Sequence, residues 1–585
     1  MDGSGNDVLH PGWGAAGTEY LRVADANYAD GVAAMVDGPS ARRVSNRVFN
    51  DLGQNVFSEN GLSQWVWAWG QFIDHDMDLR DETPAESAPI PFDAADPLER
   101  FSDQVGSIAF DRTPAAPGTG VSSPRQQINT ITSYLDGSQV YGSSQQRLNW
   151  LLAPNGYDLL LPDGYLPKVT ARGDAADAPP VDLMGQLQGN PNDAVVAGDV
   201  RANENIALTA LQTLFAREHN RIADSLPAPL PPELRFQIAR RVVGAEIQYI
   251  TYSEFLPAVG IQLPDYHGYD PQTDPAISNE FATVGFRAHS MVHGEFEPTV
   301  PAGSYTQAQL DAFQQQGITI ENNPDGTIKL VIPLLVAFGN PDLVPQLGLG
   351  PTLQSLDERQ YNNDEQIDDS LRSVLFQIPK PGTPDPSVCG EPVVNPNCFS
   401  DIQDLGADDV QRGRDHGMPY YNQLRQAYDL PAAHDFTDIT GENTENLPPG
   451  LSCDSPTILN YTSLKDNNGN PVPVGDPDNA VQDTRTTTLA ARLKCLYGNV
   501  DHLDAFVGMI SEPHLPGSDL GPLQHAIWQQ QFENLRDGDR YYYDNDPALN
   551  QINHQYNITY QHTLSQIVTA NTGQTLPDNV FKADG

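Results

Sequence analysis

The chain has 585 residues, 39% of them hydrophobic, with 22 Tyr, 20 Phe and 6 Trp spread along it, so a large ordered core is expected throughout. Acidic residues outnumber basic ones 77 to 32, for a net charge of −45. Such a field repels nucleic acid and anionic lipid, and no apolar run is long enough for a membrane span.

Taken in chain order, apolar periodicity predicts helices over 61–78, 201–225, 232–256, 278–293, 412–428, 486–511 and 521–536. Leu208, Leu211, Phe215 and Ile222 mark one face of the second of these. The best strand signal is Thr327-Ile328-Lys329-Leu330-Val331-Ile332. The 49 Pro and 48 Gly cut the rest into loops, with irregular stretches at 81–126, 154–200 and 430–485. The expected architecture is mainly α, one large helical domain over 1–585 with little β, an N-terminal arm of about 1–45 and a loop-rich insertion of about 430–485. Four cysteines without a Cys-x-x-Cys exclude zinc ribbons and thioredoxin chemistry. Cys389 and Cys398 flank a short loop, and Cys453 and Cys495 sit farther apart. Two disulfides would place the chain in an oxidising compartment. The acidic surface also suits an exterior where salt and divalent cations screen it. Residues 1–5 lack a basic and apolar leader, so a secreted, extracellular location would need a leader already removed or another export route.

Four stretches carry chemistry. In Trp65-Val66-Trp67-Ala68-Trp69-Gly70-Gln71-Phe72-Ile73-Asp74-His75-Asp76, a helix would put Gln71, Asp74 and His75 on one face at i, i+3 and i+4. Cleaving a peroxide needs an imidazole that takes a proton from one oxygen and returns it to the other. A neighbouring amide can hold a water or a halide. Arg201 and Glu204, three apart, would share a helix face. Alone they read as an ion pair, yet a guanidinium aimed at a departing hydroxide would stabilise O–O heterolysis. His289 and His293 stand at i, i+4 without the glutamate of a zinc hydrolase. One histidine on an apolar helix suits axial haem ligation, with a carboxylate on its other nitrogen. Thr132-Ser133-Tyr134-Leu135-Asp136-Gly137-Ser138 offers oxygens at alternate positions, as a loop around Ca2+ would, and Asp76 could complete the shell. Without that support the loop reads as an Asp-Gly turn.

These signals converge. The chain resembles the animal-type haem peroxidases of the peroxidase–cyclooxygenase superfamily, the bacterial branch most closely, from Asp2-Gly3-Ser4-Gly5-Asn6 to about Asp544. The resemblance runs through Gly70-Gln71-Phe72-Ile73-Asp74-His75-Asp76, Thr132 to Gly142, Arg217-Glu218-His219-Asn220-Arg221 and Gln411-Arg412-Gly413-Arg414-Asp415-His416-Gly417. Ser511-Glu512-Pro513 and Leu535-Arg536-Asp537-Gly538-Asp539-Arg540 extend it. It implies haem b and Ca2+ as cofactors, hydrogen peroxide as oxidant, and small anionic or aromatic reductants. It makes His75 the distal acid–base, Arg201 the distal arginine, Gln71 the halide-site amide and His289 the proximal ligand. Asp74 and Glu204 fall where haem esters form. Arg412 and Arg536 fall where propionates are held. Asp76, Thr132, Tyr134 (through its carbonyl), Asp136 and Ser138 match the calcium loop.

Three departures stand out against that pattern. Asn205 replaces the methionine of the chloride-oxidising member. Asp409 replaces the asparagine that mammalian members place on the proximal histidine. Phe286 replaces the radical tyrosine of the lipid dioxygenases. A haem peroxidase oxidising bromide, iodide, thiocyanate or phenols is therefore expected. Its rivals are a fatty-acid dioxygenase on the same fold, and a calcium-binding adhesion or matrix protein, for which Arg172-Gly173-Asp174 is the specific support.

Overall fold

The densest aromatic stretch of the chain becomes its central helix, α1 (Trp65–Met77). Trp65, Trp69, Phe72 and Ile73 are fully buried. Phe72 stacks on Phe215 at 5.1 Å, and Trp69 meets the same ring at 5.7 Å. Each such apolar side chain stabilises the fold by about 1.5–3 kcal/mol relative to exposure. Only Gln71 and Asp74 on this helix are partly open, and they lie on the face the helical spacing assigned to them.

The computed structural model describes residues 2–99, 101, 106–374, 378–379, 399–475 and 479–583. Phe215 belongs to α2 (Ile206–Ser225), which packs on α3 (Pro232–Ile250). The predicted face of Leu208, Leu211, Phe215 and Ile222 is buried. Downstream lie α4 (Leu405–Asp415), α5 (Pro522–Asp537) and α6 (Leu564–Thr572), the last packed back on α2. Among the described residues strands are short. The largest sheet centres on Thr327–Pro333, which pairs antiparallel with Glu295–Phe296, Thr299–Pro301 and Thr319–Asn322. Its burial alternates, with Ile328, Leu330 and Ile332 inward. The mainly helical expectation holds.

Several boundaries differ from expectation. The segment 278–293 is not one helix but a π-type turn, Phe281–Gly285, followed by a 3-10 turn, His289–Met291. Its apolar period reflects burial, since Phe281 and Phe286 pack on Phe532 and Trp528 of α5. The segment 412–428 splits into α4 and Tyr421–Ala427 around Gly417. Gly417 has φ +63°, and a Cβ there would come 2.6 Å from the Tyr28 ring, so the chain turns where only glycine fits. The segment 486–511 likewise divides into Leu489–Tyr497, Val500–His502 and Ala505–Ile510. Within 430–485 the chain forms a three-stranded sheet of Tyr461–Lys465, Pro471–Val472 and Gln482–Arg485.

A disulfide joins Cys453 to Cys495, 42 positions apart in sequence. Cys389 and Cys398 lie outside the described residues. Among those described, no helix is long and apolar enough to cross a membrane.

The N-terminal arm closes over the far end of the domain. Asn6 donates to Asp539 at 2.7 Å, Arg540 N donates back to Asn6 at 3.0 Å, and Gln248 of α3 donates to Asp539 at 2.9 Å. The same arm lies on the 132–136 loop so tightly that a Cβ at Gly14 would sit 2.8 Å from the Tyr134 ring.

Candidate active site

The C-terminal half of α1 meets a turn that precedes α2. Arg201 and Glu204 sit in this turn rather than on a helix, because α2 starts only at Ile206, with Asn205 as its cap accepting from Leu208 N at 2.9 Å. The turn nevertheless brings both to the face of α1 that carries Gln71, Asp74 and His75. Gln71 Nε2 donates to Glu204 Oε2 at 2.6 Å, and Asn205 Nδ2 donates to Gln71 Oε1 at 2.8 Å. Arg201 Nη1 lies 3.5 Å from Asp74 Oδ2.

Arg201 is locked by a residue that sequence reasoning passed over. Asp199 accepts from Arg201 Nε at 2.9 Å and Nη2 at 3.0 Å, a bidentate pair. Arg201 also donates to Asp78 O at 2.7 Å. Burial alone would raise the Asp199 carboxyl, but Arg201 holds it down to about 2. His75 is 3% exposed. Its Nδ1 lies 3.6 Å from Asp199 Oδ1 and its Nε2 3.9 Å from Glu204 Oε2, both beyond hydrogen-bond length. Burial, assisted by Arg201, lowers its pKa to about 3, so the imidazole is neutral and able to accept a proton at ordinary pH. Asp74 and Glu204 move the other way. Burial, with Asp78 beside Asp74, raises them to about 7 and about 8.

His289 stands on its 3-10 turn facing α4. Its Nδ1 is 2.7 Å from Asp409 Oδ2, which makes Nδ1 the protonated nitrogen and leaves Nε2 as a lone-pair donor. The preceding turn reaches α1: the Phe286 ring comes 3.9 Å from where a Cβ on Gly70 would sit. Arg287 is near enough to act electrostatically on both Asp74 and His75.

One helical turn beyond Asp409, Arg412 donates to Asp111 O at 2.9 Å and to Asp415 at 3.0 Å. Burial and the neighbouring Arg80 lower its pKa to about 10. Four guanidiniums, those of Arg412, Arg80, Arg22 and Arg287, act on the buried His416. Only Arg412 was anticipated. Arg536 is not among them. It donates to Pro264 O and Asp537, and its guanidinium lies 5.4 Å over the Tyr266 ring.

Under α1, Asp76 is fully buried and accepts from Gly137 N at 3.1 Å and Ser138 N at 2.5 Å, while Ser138 Oγ donates to Asp76 O. Thr132 Oγ1 accepts from Tyr134 N. Asp136 Oδ1 is buried without a partner, and Arg240 lies 3.6 Å from Oδ2. Elsewhere, Arg172 is spent on the carbonyls of Trp150 and Leu152, and Asp174 caps Ala175–Asp177.

The donor set fits haem: a lone-pair imidazole oriented by a carboxylate, a buried guanidinium at Arg412, and a buried neutral imidazole beside Arg201. A helical fold with this donor set fits a haem-dependent oxidoreductase. The family model of the animal haem peroxidases matches residues 1–449 and 472–581. Thyroid peroxidase of Sus scrofa is 29% identical over 100% of this chain and 60% of its own length. Peroxidasin of Drosophila melanogaster is 28% identical over 99% of this chain and 35% of its own. This chain thus spans about a third to three fifths of those relatives. The structure of peroxidase A from Dictyostelium discoideum superposes with TM-score 0.76 at 25% identity, covering 99% of this chain and 98% of that one. A fatty acid alpha-dioxygenase of Arabidopsis thaliana shares the fold alone, at 16% identity and TM-score 0.68. The chain belongs to the animal haem peroxidase family.

Proposed function

We propose that the chain uses hydrogen peroxide to oxidise bromide, iodide, thiocyanate and phenolic donors, with His75 and Arg201 as its distal pair and His289 as its axial ligand. The observation that carries this reading is the neutral, unpaired His75 beside an Arg201 fixed by Asp199. His75 takes the proton from the near oxygen of peroxide and returns it to the far one, and Arg201 stabilises the charge that builds on the departing oxygen. Haem supplies the iron that accepts the oxidising power of the O–O bond. His289 Nε2 would hold that iron, Arg412 with Arg80 and Arg287 would hold the propionates, and Asp74 and Glu204 would form the ester links. Gln71 would present its amide to the halide.

Chloride should be the poorest anion. Asn205 has no sulfur to bond the haem and is already tied to Gln71. Asp409 increases the electron donation of His289 and lowers the oxidising potential. Steady-state rates for each anion at matched peroxide test this: chloride turnover equal to bromide would overturn it.

Calcium is proposed at Asp76, Thr132, Tyr134, Asp136 and Ser138, supported by the unpartnered buried oxygen of Asp136. Metal analysis of protein never exposed to chelator decides this, and absence of calcium rejects it. Secretion is supported by the Cys453–Cys495 disulfide. Finding the native protein only inside the cell would reject it.

A further inference from the structure

Beyond Phe286 the site opens onto a run of aromatic rings that no step above uses. Phe286 packs on Trp528 at 4.6 Å between ring centroids. Trp528 meets Phe532 at 6.2 Å, and Phe532 meets Tyr252 at 6.3 Å. Tyr252 meets Tyr542 at 5.2 Å. Tyr542 then touches Tyr266 at 4.9 Å and Tyr543 at 4.4 Å, and Tyr543 touches Tyr560 at 5.3 Å and Tyr249 at 5.7 Å. The series begins beside the turn that carries His289 and ends at Tyr543 and Tyr560, both partly exposed.

Indoles and phenols are the side chains most readily oxidised by one electron, and rings in van der Waals contact exchange electrons fastest. We propose that this series is an electron relay, and that Tyr543 and Tyr560 form a second oxidation site for phenols carried on molecules too large to reach His75. The inference rests on the peroxidase reading above, which supplies the oxidant.

Protons decide where the charge settles. A tyrosine that loses an electron holds the charge only if its phenolic proton can leave. Tyr252 donates to the Phe532 carbonyl at 3.0 Å, a group that cannot keep a proton, and the buried Tyr266 hydroxyl has no partner. Interior members therefore pass the electron on. Tyr543 and Tyr560 can release the proton to water. An incoming phenol then restores both electron and proton to the tyrosine and leaves as a phenoxyl radical. Two such transfers per peroxide balance the reaction: one peroxide and two phenols give two waters and two phenoxyls. Packing alone would be served by phenylalanine throughout, as it is at Phe286 and Phe532; the hops run between Trp528 and the tyrosines, with Phe532 as the ring between Trp528 and Tyr252.

The test uses the haem-loaded protein with peroxide and two donors, bromide and a tyramine-substituted dextran. Wild type should oxidise both, and samples frozen after one equivalent of peroxide without donor should show a tyrosyl radical by electron paramagnetic resonance. Tyr543→Phe/Tyr560→Phe should lose dextran oxidation and change the radical signal while keeping bromide turnover. Trp528→Phe should lose both the dextran reaction and the tyrosyl signal. Trp528 donates to Gly285 O at 2.6 Å, so the tyrosine double variant, which keeps every ring, stands if the tryptophan variant folds poorly. Dextran oxidation at the wild-type rate in the double variant would overturn the relay. A wild type that oxidises neither donor would sink the peroxidase reading itself, and the relay with it.

Discussion

The two sides of the proposed haem site are held in different ways. On the distal side, Gln71, Asp74, Asp199, Arg201, Glu204 and Asn205 form a web in which each side chain reaches at least one other. On the proximal side, His289 rides on a short 3-10 turn and is oriented by one hydrogen bond to Asp409. A cross-braced web tolerates the loss of one group in its shape but not in its chemistry. A single tether concentrates both in one residue.

That contrast can be broken most severely at His289. His289→Ala should abolish stable haem binding and with it the Soret band and turnover, and an intact Soret band would show that the tether lies elsewhere. His75→Ala should keep haem, because the web stays braced, while the reaction with peroxide slows by roughly 10²–10⁴-fold, the usual worth of a positioned acid–base. Stopped-flow rates equal to wild type would remove His75 from the distal role. Asp409→Asn should retain haem but raise the iron reduction potential, since an amide draws less on the Nδ1 proton than a carboxylate does. Spectroelectrochemistry showing no upward shift would mean that the tether only orients His289.

The smallest effect lies outside both sides and serves as their control. Glu254 has a buried carboxyl oxygen without a partner, and burial raises its pKa from 4.5 to about 7 despite a hydrogen bond from Leu564 N. A carboxyl raised in the fold favours folding while protonated, and that advantage is lost as pH rises from 4.5 through about 7. Glu254→Gln should melt like wild type below pH 4.5 and higher than wild type above pH 7, with peroxidase rates unmoved. Parallel melting curves across that window would refute the assignment.

What could be read in the sequence was mostly what helices announce. The face of Gln71, Asp74 and His75 follows from spacing on a long buried helix, and α2 follows from Leu208, Leu211, Phe215 and Ile222. The residues that escaped reading sit where backbone direction is irregular. Asp199 reaches Arg201 across a turn, two residues away, where no helical rule applies. Arg80 acts on Arg412 from a segment more than 300 residues away in sequence, and nothing local marks it. Arg536 lies over Tyr266 and bonds Pro264 O and Asp537, contacts that its motif match did not announce, because a motif carries no information on which way a helix end faces. The break at 278–293 was hidden because apolar periodicity reports burial, and a pair of tight turns can bury the same residues as a helix. The break after α4 was signalled by Gly417 and Pro419, but the apolar count outweighed them.

The clasp between Asn6 and Asp539 sets a timetable for the chain's biosynthesis. These partners are 533 residues apart, so the arm can pair early with the 127–133 segment, through Gly17 N to Asn129 O and Ser133 N to Gly14 O, but its clasp to Asp539 waits until almost the whole domain has left the ribosome. At about 5–20 residues per second, that wait is roughly half a minute to two minutes. Closing so long a loop is entropically costly and is compensated only when the last contacts form. The end of the arm at Asn6 therefore stays unclasped through that interval, and this closure belongs to the end of synthesis.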